Sequence, residues 1–235
     1  MIFPNPHICI AIVFQITIIN FKNFYIYKNM KTLIIDCDGV LFPDSQFKKS
    51  DMGKFLYKEF TSSDAKKEKY NKIFEESNEP GFFNFIFNLF DKDMALFDKF
   101  CFNMFNSLDY SKIKRDDELF ELLLKAGKKY EIYILSNNHK YHMDRVYRNL
   151  FGKTIEQFPF KSYDISSTLK DGYFHPKHSI DGLKNFLEKI NKKNSECTLI
   201  DDSLKVIKKC SEFKIPYIFI TSNTTLKMVL KKLTN

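Results

Sequence analysis

Four carboxylates stand where two apolar runs end. Asp36 and Asp38 follow Thr32 to Ile35 within Asp36-Cys37-Asp38-Gly39, and Asp201 and Asp202 follow Cys197 to Ile200. Parallel strands deliver their carboxyl ends to one edge of a sheet, so the two pairs are expected to converge there. Four like charges in one crevice repel unless a cation joins them, and hard oxygen ligands in that number suit Mg²⁺. The competing reading is structural: Asp terminates strands and caps helices, and Asp202-Ser203 could cap the helix that follows. A third apolar run, Glu131 to Leu135, ends in Ser136-Asn137. Ser136 there offers a hydroxyl donor to an anion or, more plainly, another helix cap.

The elements that must position these groups follow from periodicity. Thr32 to Ile35, Glu131 to Leu135, Cys197 to Ile200 and Pro216 to Ile220 are short runs of β-formers, too short for helices. Met143, Val146 and Leu150 recur at helical spacing, as do Ile180, Leu183, Leu187 and Ile190, and then Leu204, Ile207 and Cys210. Strands buried on both faces and alternating with helices predict an α/β fold with a doubly wound parallel sheet. From Ser45 to about Asp109 no strand is expected. That segment reads as several helices split at Pro80-Gly81, and nine of the 26 Phe fall between Phe82 and Phe105. These Phe are expected to form the core of a small helical insert; the sharper alternative places one or two of them in a substrate pocket facing the sheet.

Asp36-Cys37-Asp38-Gly39-Val40-Leu41 after an apolar strand resembles the first motif of the haloacid-dehalogenase-like (HAD) hydrolases. Leu135-Ser136-Asn137 resembles the second motif and Leu199-Ile200-Asp201-Asp202-Ser203 the fourth. The motifs occur in the family's order from Met30 to about Ser222. The helical insert takes the place of the family's C1-type cap, and in detail the chain is similar to the pyrimidine 5′-nucleotidase and phosphoglycolate phosphatase-like branches. The resemblance implies a Rossmann-like HAD core, residues 30–44 and 110–235, interrupted by a cap over residues 45–109. It also implies an Mg²⁺-dependent phosphoric monoester hydrolase acting on a small phosphorylated metabolite, a nucleotide being one candidate. Asp36 would be the nucleophile and Asp38 the general acid and base. Ser136 and the Asn137 backbone N–H would hold the phosphoryl oxygens. The metal ligands would be Asp36, Asp201, Asp202 and the backbone carbonyl of Asp38. Dehalogenases of the superfamily lack the second Asp, so Asp38 points to phosphoryl rather than carbon–halogen chemistry.

The departure lies at the third motif, where the family places a Lys, commonly before Pro. Gly172-Tyr173-Phe174-His175-Pro176-Lys177 puts His175 before the Pro and Lys177 after it, with Lys170 nearby. Either Lys177 or His175 is expected to supply the phosphate-binding cation. If neither does, the chain would be a catalytically weak binding protein. A phosphomutase of the same fold is the other rival.

The chain has 235 residues, 44% hydrophobic and 28% charged, ample apolar material for a packed core. Its net charge of +8 comes almost wholly from Lys; Arg115, Arg145 and Arg148 are the only Arg. The basic residues are scattered, so no specific nucleic-acid partner is expected. Five cysteines without a C-x-x-C pair (Cys9, Cys37, Cys101, Cys197, Cys210) predict buried thiols rather than disulfides, and a cytoplasmic setting. Residues 1–29 are expected to lie outside the fold, with Met30 as a plausible start. The apolar run Ile8 to Ile19 within them is short for a membrane span, and membrane association is expected only if this segment acts as an anchor. His139 and His142, three apart on a helix, are expected to be solvated surface residues rather than metal ligands.

Overall fold

The computed structural model describes residues 31–76 and 81–235. The expectations for residues 1–29, Met30, Cys9 and Pro80 lie outside them. Among the described residues no helix is long and apolar enough to cross a membrane.

Five strands form one parallel sheet: β1 (Thr32–Ile35), β2 (Glu131–Leu135), β3 (Lys161–Tyr163), β6 (Cys197–Asp201) and β7 (Tyr217–Phe219), in the order β3-β2-β1-β6-β7. β4 (Leu169–Lys170) and β5 (Tyr173–Phe174) make a separate antiparallel hairpin. Its turn, Asp171 and Gly172 with φ of 53° and 76°, is the doubly positive geometry that Asp-Gly adopts most readily. The helices are α1 (Ser50–Phe60), α2 (Asp64–Glu76), α3 (Gly81–Leu89), α4 (Met94–Ser107), α5 (Asp117–Gly127), α6 (Lys140–Phe151), α7 (Ile180–Lys189), α8 (Leu204–Glu212) and α9 (Leu226–Thr234).

The central strands β1, β2 and β6 are largely apolar because both faces are covered. Leu33, Ile35, Ile132, Ile134 and Ile200 enter one core cluster, which also takes residues of α4, α5, α6 and α9. Ile34, Tyr133, Leu135 and Leu199 enter the other, closed by Leu183, Phe186 and Leu187 of α7 and by Val206 and Cys210 of α8. Neighbouring residues on a strand face opposite ways, so a doubly wound sheet needs no polar alternation. The doubly wound parallel α/β architecture expected from sequence is what the structure shows.

The chain between β1 and β2 runs through α1 to α5. The Phe-rich stretch lies on α3 and α4. Phe83, Phe85, Phe87, Phe97, Phe100 and Phe105 are buried, Phe82 and Phe90 half-buried, and Phe102 exposed. This core is continuous with one face of the sheet. α4 opens on Asp93, whose carboxylate accepts from the N–H groups of Ala95 and Leu96, an ordinary N-cap. The four cysteines among the described residues are free and buried.

Register decides where the polar strand ends meet. Ile35 pairs with Ile134 on one side and Ile200 on the other, so Asp36, Leu135 and Asp201 come level at one edge. The Asp36 N–H then donates to the Ile200 carbonyl at 2.9 Å, and the Ser136 N–H to the Tyr163 carbonyl at 2.9 Å.

Candidate active site

Asp36, Asp201 and Asp202 gather at this edge. Each presents an oxygen, and the three lie within 4.8 Å of one another. Asp36 and Asp201 are buried and Asp202 half-buried. Asp201 is steadied by the Ser203 N–H, which donates to Oδ1 at 2.8 Å. Ser203 is the N-cap of α8, but its side chain makes no cap bond there. Gly39 explains the close approach of Asp202. Its φ is +77°, and a Cβ at this position would stand 2.0 Å from Asp202 Oδ2. Only glycine leaves room for that carboxylate and adopts that backbone at low cost. The three-carboxylate donor set, held in a cradle that a methyl group would fill, fits a small hard cation such as Mg²⁺.

Lys177 supplies the positive charge already present. It is only 4% exposed, and its Nζ forms an ion pair with Asp36 Oδ1 and lies 2.8 Å from Asp201 Oδ2. Burial alone would lower its pKa; the two carboxylates outweigh that and raise it. For Asp36, burial pushes the carboxyl well above the usual range. Lys177 opposes the rise, while Asp201 and Asp38 add to it. Two further contacts fix the lysine's loop. The Asn137 side-chain carbonyl accepts from the Lys177 N–H at 2.8 Å. Gly182, in the first turn of α7, lets that helix sit against the loop, since a Cβ there would meet the Pro176 carbonyl oxygen at 2.1 Å. His175 is half-buried, donates its backbone N–H to Thr168 at 3.3 Å, and makes no ion pair with the acidic cluster. The structure therefore brings Lys177 to Asp36 and leaves His175 away from it. Lys170 reaches Asn185 at 3.3 Å.

Asp38 faces a different set of partners. His142 Nε2 lies 2.7 Å from Oδ1, and the Asn138 side-chain amide donates to Oδ2. The other ring nitrogen of His142, Nδ1, lies 2.9 Å from the Tyr110 hydroxyl. Burial acts to raise the Asp38 pKa, but His142 and the bond from Asn138 outweigh it and bring it down to about 2. The surface placement expected for the two histidines is incorrect: both are 0% exposed. The reason is visible in the helix period. Positions 139, 142, 143, 146, 147 and 150 share one face of α6, so both imidazoles lie on the stripe defined by Met143, Val146 and Leu150. His139 is the N-cap of α6, with Nδ1 accepting from the Tyr141 N–H at 3.4 Å. Its Nε2 lies 3.0 Å from Asp98 of α4, which also pairs with Lys140 at 2.8 Å. Neither histidine belongs to the carboxylate cluster that could hold a metal. His142, Tyr110 and Asn138 were not assigned site roles from sequence. The shared face of α6 was the available signal for His142; Tyr110 and Asn138 carried none.

Ser136 is buried, and its hydroxyl oxygen accepts from the Asn138 N–H at 3.0 Å, which leaves its own hydrogen to donate. His139, not Ser136, caps the following helix. Beside these groups opens a cavity of about 610 Å³. Met52, Phe82 and Phe83 line it from the helical segment, and Asn137, Asn138 and Phe174 from the sheet side. Two of the clustered Phe thus line a cavity while most of the others pack internally. Asn84 ties the two sides, its amide donating to the Phe174 carbonyl at 2.9 Å and accepting from the Phe174 N–H at 2.7 Å.

No family model matches the sequence, and no curated protein matches it. Solved structures do. A HAD family enzyme from Bacteroides thetaiotaomicron superposes with a TM-score of 0.50 at 20% identity, covering 83% of this chain and 95% of that one. Its magnesium complex gives 0.50 at 23% identity over the same shares. YfnB from Bacillus subtilis, assigned to the HAD hydrolases and solved bound to magnesium, gives 0.51 at 16% identity, covering 88% of this chain and 100% of that one. At these identities the likeness establishes the fold.

Proposed function

We propose that this protein is an Mg²⁺-dependent phosphoric monoester hydrolase working through an aspartyl-phosphate on Asp36. The observation that carries the reading is the buried convergence of Asp36, Asp201 and Asp202 around the Lys177 ammonium. A phosphomonoester is anionic and repels an anionic nucleophile, so such a site must bring positive charge to the point of attack. Lys177 does so from one side of Asp36. Mg²⁺ held by Asp36, Asp201, Asp202 and the Asp38 carbonyl would neutralise further charge on the phosphoryl group and its attacking oxygen. The fold neighbours crystallised with magnesium support that choice of cation.

In the first half-reaction an Asp36 oxygen bonds to phosphorus as the ester P–O bond breaks. The departing oxygen takes a proton from Asp38. Ser136 and the Asn137 N–H donate to the phosphoryl oxygens, whose charge grows in the transition state. In the second, Asp38 as carboxylate takes a proton from water while the water oxygen displaces Asp36, releasing phosphate. The low pKa of Asp38 means that it rests in the base form. It takes up a proton from solvent as the approaching phosphoryl dianion raises that pKa by like-charge repulsion.

The cavity's apolar surfaces, with Lys49 its charged lining residue, suit a leaving group with an apolar or aromatic face, a nucleoside among them. The C1-type cap assignment for the helical segment belongs to this same reading. A catalytically weak binding protein was the expectation if no cation were present, and Lys177 beside Asp36 supports the hydrolase reading over it. Turnover of p-nitrophenyl phosphate in Mg²⁺, abolished by EDTA and followed by a phosphometabolite panel, tests the proposal; no turnover of any panel member refutes it.

A further inference from the structure

We propose that His142, held by Tyr110, is the positioning residue that aims Asp38 at the leaving-group oxygen. The inference rests on the phosphatase reading above and adds to it a role for two side chains, Tyr110 from the connection between α4 and α5 and His142 of α6.

The geometry is closed around the imidazole. Nε2 meets Asp38 Oδ1 at 2.7 Å, and Nδ1 meets the Tyr110 hydroxyl at 2.9 Å, so both ring nitrogens are engaged. A carboxylate can only accept, so Nε2 is the donor in the first bond. Burial holds the Tyr110 phenol protonated, so it can donate to Nδ1 and fix the tautomer that keeps the hydrogen on Nε2. Phe47, Phe105 and Phe42 surround the ring, at centroid distances of 4.7, 5.4 and 6.5 Å. Phe47 also stacks on Tyr110 at 5.1 Å. The imidazole is thus packed among aromatic rings and bonded at both nitrogens, which restrains its orientation. Asp38 Oδ1 is therefore anchored inside the protein, and Oδ2 is left on the side of Asn138, which lines the cavity. Oδ1 would thus be the anchored oxygen, and Oδ2, which accepts from the Asn138 amide, the one that serves substrate. A proton donor must lie within hydrogen-bond reach of the atom it serves, so this anchoring is worth rate.

The test uses the leaving group. Departure of an alkyl alcohol needs a proton, whereas p-nitrophenolate leaves with little help. His142→Phe keeps the ring volume and removes the donor. The ratio of kcat/KM for an alkyl phosphate to that for p-nitrophenyl phosphate should fall by about tenfold or more, within the range that general acid catalysis supplies. Tyr110→Phe should lower the same ratio by a smaller factor, and His142→Gln, which restores a donor near the Nε2 position, should recover most of it. In an Asp38→Asn background, His142→Phe should add nothing further, because it acts through Asp38. Equal losses on both substrates, or an undiminished effect in the Asp38→Asn background, would show a structural role and overturn the proposal. Should His142→Phe fail to fold, Tyr110→Phe serves in its place, and an unchanged ratio in Tyr110→Phe overturns the proposal. Wild-type protein that turns over neither substrate refutes the phosphatase reading instead, so the two failures are distinguishable.

Discussion

Lys177→Met removes the ammonium while keeping an apolar stem of similar length, and the surrounding contacts set the size of the effect. In the wild type the ammonium is buried against Asp36 and lies 2.8 Å from Asp201, with Asp202 in the same cluster. Taking one partner from a buried ion pair costs about 3–5 kcal/mol, because the other charge stays buried without compensation. Here the carboxylates have an escape, since burial favours uptake of a proton by Asp36 once the ammonium is gone. The expected loss near pH 7 is therefore at the lower end, about 3 kcal/mol. In a chain of this length that lowers Tm by about 6–12 °C.

The pH dependence follows from the signs. Asp36 has a folded pKa above its unfolded value, so its contribution is complete below about pH 4 and is lost as pH rises through the folded value. Without Lys177 that folded value climbs further and the loss deepens. The Tm gap between wild type and Lys177→Met should thus be small near pH 4.5 and widen toward pH 8. Scanning calorimetry in EDTA across that range measures it, and added Mg²⁺ should narrow the gap by restoring positive charge to the cluster. A variant matching wild type in Tm at pH 8 in EDTA would refute the reasoning.

Gly39→Ala should cost about 1–2 kcal/mol through its positive φ and should also displace Asp202, whose Oδ2 stands 2.0 Å from the new Cβ site; lower Tm and weaker Mg²⁺ activation by titration check it. Asp202→Asn should raise the Mg²⁺ concentration needed for half-maximal turnover, and an unchanged titration removes Asp202 from the ligand set. Asn84→Ala leaves the Phe174 N–H and carbonyl without their side-chain partner, so a loss of about 1–3 kcal/mol is expected in denaturant unfolding, with KM affected more than kcat.

The legible parts of this protein are those in which one pattern had one physical cause. β1 and β2 fall on the residues read from sequence because strands buried on both faces must be continuously apolar. The convergence of Asp36 with Asp201 followed from parallel strand polarity alone. β3, in contrast, is Lys161-Ser162-Tyr163 at the sheet edge, with an exposed and two half-buried residues and no apolar run to announce it. The β4–β5 hairpin has two-residue strands, too short for any periodic signal, and only Asp171-Gly172 marked its turn. His142 is buried because its position on the apolar stripe of α6 outweighs its polar residue type. The choice between His175 and Lys177 lay beyond the sequence, since it depends on a loop held by Asn137 and by the close packing at Gly182.

The central claim is that Asp36 is the nucleophile, and the most direct measurement is steady-state turnover of Asp36→Asn beside wild type in Mg²⁺. The amide is nearly isosteric with the carboxylate, so circular dichroism and Tm should show the variant folded. An amide cannot form the acyl phosphate, so its turnover of any substrate the wild type accepts should fall to the level of the buffer blank. A folded Asp36→Asn protein that retained near-wild-type turnover would contradict the account.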